Sequence, residues 1–139
     1  MKAVVIGCGR VGASLAHALV AADWEVTAVD ESEDALIRLG ERWSSPFVLG
    51  HGMDVSVLRR AGLEEADAVV VATRGDNTNI VVAQLAKKRF GVGRVVVRVQ
   101  DPGRAEFYRR RGMSVVCPTE SAIRELTGAV LGAEVEGGD

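Results

Sequence analysis

Along the chain, short runs of consecutive apolar residues alternate with stretches whose apolar residues recur every three or four positions. The runs are residues 3–6 (AVVI), 26–29 (VTAV), 47–49 (FVL), 68–72 (AVVVA), 95–99 (VVVRV) and 114–117 (SVVC). A strand with one wet face alternates apolar and polar residues, whereas a strand covered on both faces need not. These runs therefore predict buried, parallel strands. Between the first two, residues 10–22 place Val11, Leu15, Ala18, Leu19 and Ala22 on one helical face. Residues 33–42 carry Leu36 and Leu39, with Ser32 as N-cap. Asp54 caps a short helix over 55–61 that Gly62 ends, and Asp76 or Asn77 caps a helix over 78–90 that Gly91 ends. Pro102 suits the first turn of a helix stopped by Gly112, and Pro118-Thr119 opens a last helix near 120–131. This succession of β–α units predicts an α/β fold, a doubly wound, parallel, six-stranded Rossmann-type sheet in the order 3-2-1-4-5-6 with helices on both faces. It forms one domain over residues 1–131. The acidic, glycine-rich remainder, 132–139, reads as a frayed tail or the start of a linker.

Composition narrows the class. At 139 residues the chain has the size of a single domain. Its 47% apolar and 26% charged residues are those of a globular protein. Lys and Arg number 17 against 19 Asp and Glu, a net charge of −2. That balance argues against a dedicated nucleic-acid binder, which carries a basic surplus. No apolar run approaches the ~20 residues of a membrane span, so no direct membrane insertion is expected. Met1-Lys2 leads straight into a strand-like run, so no signal peptide is expected and a cytoplasmic location fits. Cys8 and Cys117 are too few for a disulfide framework or a zinc ligand set.

The chemistry concentrates at the first β–α junction. Residues 7–12 read Gly7-Cys8-Gly9-Arg10-Val11-Gly12, a G-x-G-x-x-G directly after a strand and directly before a helix. In such a turn the first glycine permits the tight reversal and the second lets backbone approach a pyrophosphate. The third lets the helix pack close to the sheet. The helix N-terminus then offers free N–H groups and the positive end of its dipole to phosphates. Asp30 ends the second strand, where a carboxylate takes the ribose hydroxyls of an adenosine. Asp30 would repel a 2′-phosphate, and residues 31–34 (Glu-Ser-Glu-Asp) hold no Arg, so NADP is disfavoured against NAD or a plain adenine nucleotide. Arg10, just inside the helix, has the fork geometry for a phosphate. The plainer alternatives are a turn shaped by its glycines, a helix-capping Asp30 and a solvated Arg10.

In open α/β sheets ligands sit at the carboxyl ends of the strands. The third strand is followed by Gly50-His51-Gly52-Met53-Asp54, the fourth by Thr73-Arg74-Gly75-Asp76-Asn77, and Arg98 lies near the end of the fifth. Thr73 and Arg74 are placed for ribose or phosphate, and Arg98 for a second positive charge or for an ion pair with Asp101. His51 reads as polar lining rather than a general base, because no second ligand stands at metal spacing. Cys8 reads as a small apolar residue within the turn. The clusters Arg59-Arg60, Lys87-Lys88-Arg89 and Arg109-Arg110-Arg111 fall at helix C-termini, where positive charge suits the dipole. The helix over 78–90 has little polar face, which predicts either a subunit interface or a deep core position.

The runs VVIGCGRVGASLA, VD at 29–30, LRRAGLEEADAVVVAT at 58–73, Asn79, VVVRVQDP at 95–102 and YRRRGMSVVCPTE at 108–120 resemble the TrkA-N domain. This is the N-terminal RCK (KTN) domain of bacterial potassium-transport regulators. The resemblance covers residues 1 to about 130. It implies a cytosolic gating subunit that binds NAD(H) or ATP/ADP. Such a subunit assembles as a homodimer or larger ring beneath a membrane potassium channel or transporter, at the inner membrane through that partner. The cofactor-binding residues it implies are Gly7, Cys8, Gly9, Arg10, Val11 and Gly12, with Asp30, His51, Gly52, Thr73, Arg74 and Arg98. The sequence departs from the family pattern at His51, where an Asp is usual, and at Arg74, where the loop is often acidic. A C-terminal RCK subdomain does not follow within these residues, so the chain reads as a fragment or as a subunit that partners another chain.

A regulatory nucleotide-binding module is the expected function, with no catalytic residue and no metal site. A small NAD-dependent oxidoreductase is the alternative. Only Tyr108, His17 and His51 stand ready for proton transfer there, with no Tyr-x-x-x-Lys pair. A methyltransferase shares the glycine turn and the acid after the second strand but fits the six-unit pattern less well.

Overall fold

A computed structural model describes residues 1–132. The predicted tail lies outside the described residues from 133 onward. The strands are β1 (Lys2–Ile6), β2 (Glu25–Asp30), β3 (Phe47–Leu49), β4 (Ala68–Val71), β5 (Arg94–Arg98) and β6 (Ser114–Val116). They form one sheet in the order β3-β2-β1-β4-β5-β6, every pair parallel. The helices are α1 (Arg10–Ala21), α2 (Asp34–Leu39), α3 (Val55–Arg60), α4 (Asp76–Gln84), α5 (Pro102–Arg109) and α6 (Pro118–Leu131). The expected topology is therefore the one observed.

Consecutive apolar residues serve two cores. Val4 and Ile6 of β1 join a large cluster with Leu58 of α3, Val82 of α4 and Ala105 of α5. Val5, between them, joins a smaller cluster with Ala13 and Ala16 of α1 and Ala35 and Leu39 of α2. Alternate side chains of a strand leave opposite faces, so α1 and α2 cover one face and α3, α4 and α5 the other.

Three helices differ from the sequence reading. The buried side of α1 is Gly12, Ala13 and Ala16, while Val11 is 53% exposed. Small residues make the closest approach to the sheet, Leu19 packs half-buried beside them, and Val11, Ala18 and Ala22 of the expected face turn outward. In α2 the buried residues are Ala35 and Leu39, and Leu36 is exposed. The helix runs only from Asp34 to Leu39 with Glu33, not Ser32, at the N-cap, although the Ser32 hydroxyl accepts from the Asp34 N–H at 3.1 Å. The helix expected over 78–90 begins at Asp76 and changes at Leu85 into a π-turn, Leu85–Arg89. Its Ile80, Val82, Ala83 and Ala86 are buried in the core, leaving Val81 as its exposed apolar residue. The core position accounts for its composition.

Apolar surface appears instead on α6, which buries no residue. Ile123, Leu126, Val130 and Leu131 are all more than half exposed. Arg109 of α5 grips the base of this helix with two bonds to Glu120, at 2.8 and 3.3 Å. That fork raises the Arg109 pKa and lowers that of Glu120.

Candidate functional site

The turn after β1 is fixed by contacts that glycine alone allows. Gly7 has φ +96°, and a Cβ there would lie 2.6 Å from the Thr73 nitrogen at the end of β4. A Cβ on Gly12 would lie 1.8 Å from the Gly7 carbonyl oxygen. The first glycine thus closes against β4 and the third against the first. Gly9 differs from both, with nothing within 4 Å of an added Cβ. It caps α1 without any side chain capping the helix, so first-turn N–H groups face outward unsatisfied.

Asp30 braces this turn. Its Oδ2 accepts from the Cys8 N–H at 2.8 Å and its Oδ1 from the Ser32 N–H at 2.9 Å. Arg38 of α2 completes the brace: its Nε donates to the Cys8 carbonyl at 2.7 Å, and a terminal nitrogen stands 4.0 Å from Asp30 Oδ2. The Cys8 backbone is held at its N–H by a carboxylate and at its carbonyl by a guanidinium. Arg38 lies beyond residues 31–34, the stretch that directly follows Asp30, and is not adjacent to it in sequence. One helical turn into α2 brings it back to the carboxylate. The Cys8 thiol itself is fully buried against the Val29 carbonyl. Burial, with the Asp30 charge second, pushes its pKa up to about 12, so it is a protonated packing group.

These elements enclose a crevice of about 880 Å³ at the carboxyl ends of β1, β2, β4 and β5, within the size range of ligand pockets. Gly7 to Val11 and Asp30 line one part of it; His51 and Gly52 line the β3 side. Thr73, Arg74 and Arg98 line the remainder. Gly12 does not line it and acts through packing alone. His51 Nδ1 accepts from the Met53 N–H at 3.1 Å, and its Nε2 lies 3.7 Å from Glu31. Arg98 does not pair with Asp101, whose side chain accepts from the Arg104 N–H. Its Nε is instead buried without a hydrogen-bond partner. A buried guanidinium N–H left unsatisfied is costly.

Asn79 is the least exposed polar residue described, at 0%. From α4 its Oδ1 accepts from the Thr73 N–H and hydroxyl, and its Nδ2 donates to the Thr73 and Arg98 carbonyls at 3.0 and 2.9 Å. It thereby ties the ends of β4 and β5 together beneath the crevice. Nothing in its local sequence announces this role, because an Asn three residues into a helix resembles any polar surface residue.

The residues fit a nucleotide by three features: an uncapped helix N-terminus, an open glycine face and a carboxylate at the end of β2. Among the described residues no group of His, Cys, Asp and Glu is arranged to hold a metal ion. No described helix is long and apolar enough to cross a membrane.

Comparison with known proteins agrees with this architecture. The chain is 42% identical over 124 residues to the Trk system potassium uptake protein TrkA of Streptomyces coelicolor, covering 89% of this chain and 54% of that protein. It thus spans about half the length of that relative. The Kef C-terminal domain of Shewanella denitrificans, solved in an AMP-bound form, has the same fold, with a TM-score of 0.81 at 22% identity. That match covers 96% of this chain and 84% of the Kef chain. GsuK, solved bound to ADP, matches with a TM-score of 0.78 at 23% identity, over 91% of this chain and 33% of its own. Residues 3–118 match the TrkA-N domain itself, and the chain belongs to that family.

Proposed function

We propose that this chain is the nucleotide-sensing part of a regulator of potassium transport, and that its crevice takes an adenine nucleotide, NAD(H) or ATP/ADP. The arrangement that carries the reading is the crevice floor. Asp30 stands where an adenosine ribose would lie, α1 points its free N–H groups at the phosphate position, and the Arg98 side chain lines the same crevice. Arg10 and Arg74, both exposed at the rim, add charge for phosphates. The AMP and ADP forms of the structural neighbours support the ligand class. The relation to TrkA supports a potassium channel or transporter at the membrane as partner, with the chain on its cytoplasmic side.

Binding here drives an assembly rather than a reaction. A ligand shifts an equilibrium between two arrangements only by its difference in affinity for them. The apolar stripe of α6 is the surface offered to a second copy, giving a homodimer or ring whose geometry follows the ligand. NAD remains preferred over NADP because of Asp30, although Arg38 beside it reduces the margin that residues 31–34 alone suggest.

Calorimetric titration of the nucleotide-stripped chain with NAD, NADH, ATP, ADP and NADP tests the reading. Saturable binding of an adenine nucleotide, weakened by about tenfold in Asp30→Ala, is expected. Absence of binding by all five, or binding unchanged in the variant, overturns the assignment of the crevice. Turnover of NAD with small alcohols or hydroxy acids would instead favour an oxidoreductase.

A further inference from the structure

A second cavity lies at the opposite end of the sheet. It has a volume of about 420 Å³ and opens at the amino ends of β5 and β6. Lys87, Lys88, Arg94 and Arg111 surround it, and no acid lines it. The chain carries a net charge of −2, so four cations around one acid-free hollow are a local concentration against the overall balance. None of the four belongs to an ion pair among the described residues, whereas Arg38, Arg59, Arg109 and Arg110 all do.

Helix dipoles account for part of this charge, since Lys87 and Lys88 lie at the end of a helix. They do not account for Arg94, which begins a strand. Two further features give the hollow a shape. The π-turn over Leu85–Arg89, closed by the Phe90 N–H on the Leu85 carbonyl at 3.2 Å, turns Lys87 and Lys88 away from a regular helical path. Such turns recur at functional sites. Arg111 is held in place, with its guanidinium 3.6 Å from the Phe107 ring centroid and a bond to the Phe107 carbonyl at 3.3 Å. Tyr108, Gln84 and Ser114 supply neutral hydrogen-bonding groups, and Val95 and Met113 supply apolar lining.

We propose that this cavity is a second anion site, separate from the nucleotide crevice, and that it takes a phosphate-bearing ligand. Its size is that of a small-molecule pocket, and the Arg guanidinium forks and Lys ammonium charges suit phosphate oxygens. Phosphate chemistry reaches such a site from a soluble metabolite or from a lipid headgroup.

The test uses the 139-residue chain and inorganic pyrophosphate at fixed ionic strength, followed by amide NMR. Saturable shifts at Gly93, Arg94 and Gly112 are expected, and the double variant Lys87→Glu/Arg94→Glu should weaken them at least about tenfold. Amides of Gly7, Gly9 and Gly12 report the nucleotide crevice separately, and spectral dispersion reports folding of the variant. Shifts at the cavity that never saturate, that chloride reproduces, or that persist in the variant overturn the proposal. Sedimentation with phosphatidylglycerol–phosphatidylcholine vesicles then separates the sources. Vesicle binding lost in the same variant assigns a lipid headgroup, and pyrophosphate binding without vesicle binding assigns a soluble phosphate.

Discussion

Replacing Asn79 by Leu is the sharpest test of how the crevice is held. The side chain satisfies the Thr73 N–H, the Thr73 carbonyl and the Arg98 carbonyl from a fully buried position. Leu keeps the branched outline but is bulkier, so the change removes the hydrogen bonding and adds overpacking rather than a cavity. A buried backbone group left without a partner costs about 1–3 kcal/mol. Three such groups at the lower bound give about 3 kcal/mol. With a urea slope on the order of 2 kcal/mol per molar for a domain of this size, the midpoint should fall by about 1.5 M. Asn79→Asp sharpens the logic. It keeps the acceptor but sets a carboxylate against two carbonyls, so it should be as damaging at pH 7. Burial, with two carbonyls facing its second oxygen, raises that carboxyl's pKa, and its protonated form can donate again. Stability lost at neutral pH should therefore return in part as the pH falls toward 5. Because Thr73 lines the crevice, nucleotide affinity should fall with the tie, measured where both proteins are folded. A midpoint shift below about 0.5 M for Asn79→Leu would mean that water or backbone adjustment satisfies these groups, and the account of the crevice floor would be wrong.

Further perturbations address separate parts of the reasoning. Gly12→Ala drives a methyl into the Gly7 carbonyl and should cost about 3 kcal/mol or abolish folding; denaturation at wild-type stability would sink the packing argument. Arg10→Ala should weaken ADP or NAD binding by about fivefold and spare adenosine, so equal losses for both ligands would remove its phosphate role. Leu126→Asp on α6 should shift the chain to monomer in light scattering, and unchanged mass would place any interface elsewhere. The Cys8 thiol is held neutral in the folded state, with a pKa near 12 against an ordinary value of 9.0. The unfolded chain therefore loses this proton first, and stability from Cys8 is complete below pH 9 and lost as the pH rises toward 12. Cys8→Ala should lack this decline when denaturation curves are compared from pH 8 to 11.

The sheet was legible because its strands are apolar on consecutive residues, and the observed order is the usual one for a β–α alternation with a glycine turn after its first strand. The turn at Gly7 to Gly12 and the acid at Asp30 were legible because each needs a particular residue at a particular place. The helix faces were less so. Periodicity marks large apolar residues, and α1 meets the sheet through Gly12, Ala13 and Ala16, whose smallness hides them. Asn79 and Arg38 act across sequence separations that no local pattern records, 6 and 19 residues for the Asn79 bonds and 30 for the bond from Arg38 to Cys8. The π-turn left no signal either, since Leu85–Arg89 reads as ordinary helix.

The clamp on the Cys8 peptide has a consequence for what the crevice can distinguish. Asp30 and Arg38 hold the glycine turn in shape before anything enters. A cradle already formed loses little freedom on filling, and that saving is common to every ligand with the same adenosine and first phosphate. Discrimination among ligands then falls to groups at the rim, chiefly the exposed Arg10 and Arg74. Exposed charges are screened within about 8 Å at physiological salt. The ladder of affinities from AMP to ADP to ATP should therefore steepen in dilute buffer and flatten as salt is added. A regulator built this way would read the ionic strength of its surroundings along with the phosphate count of its ligand.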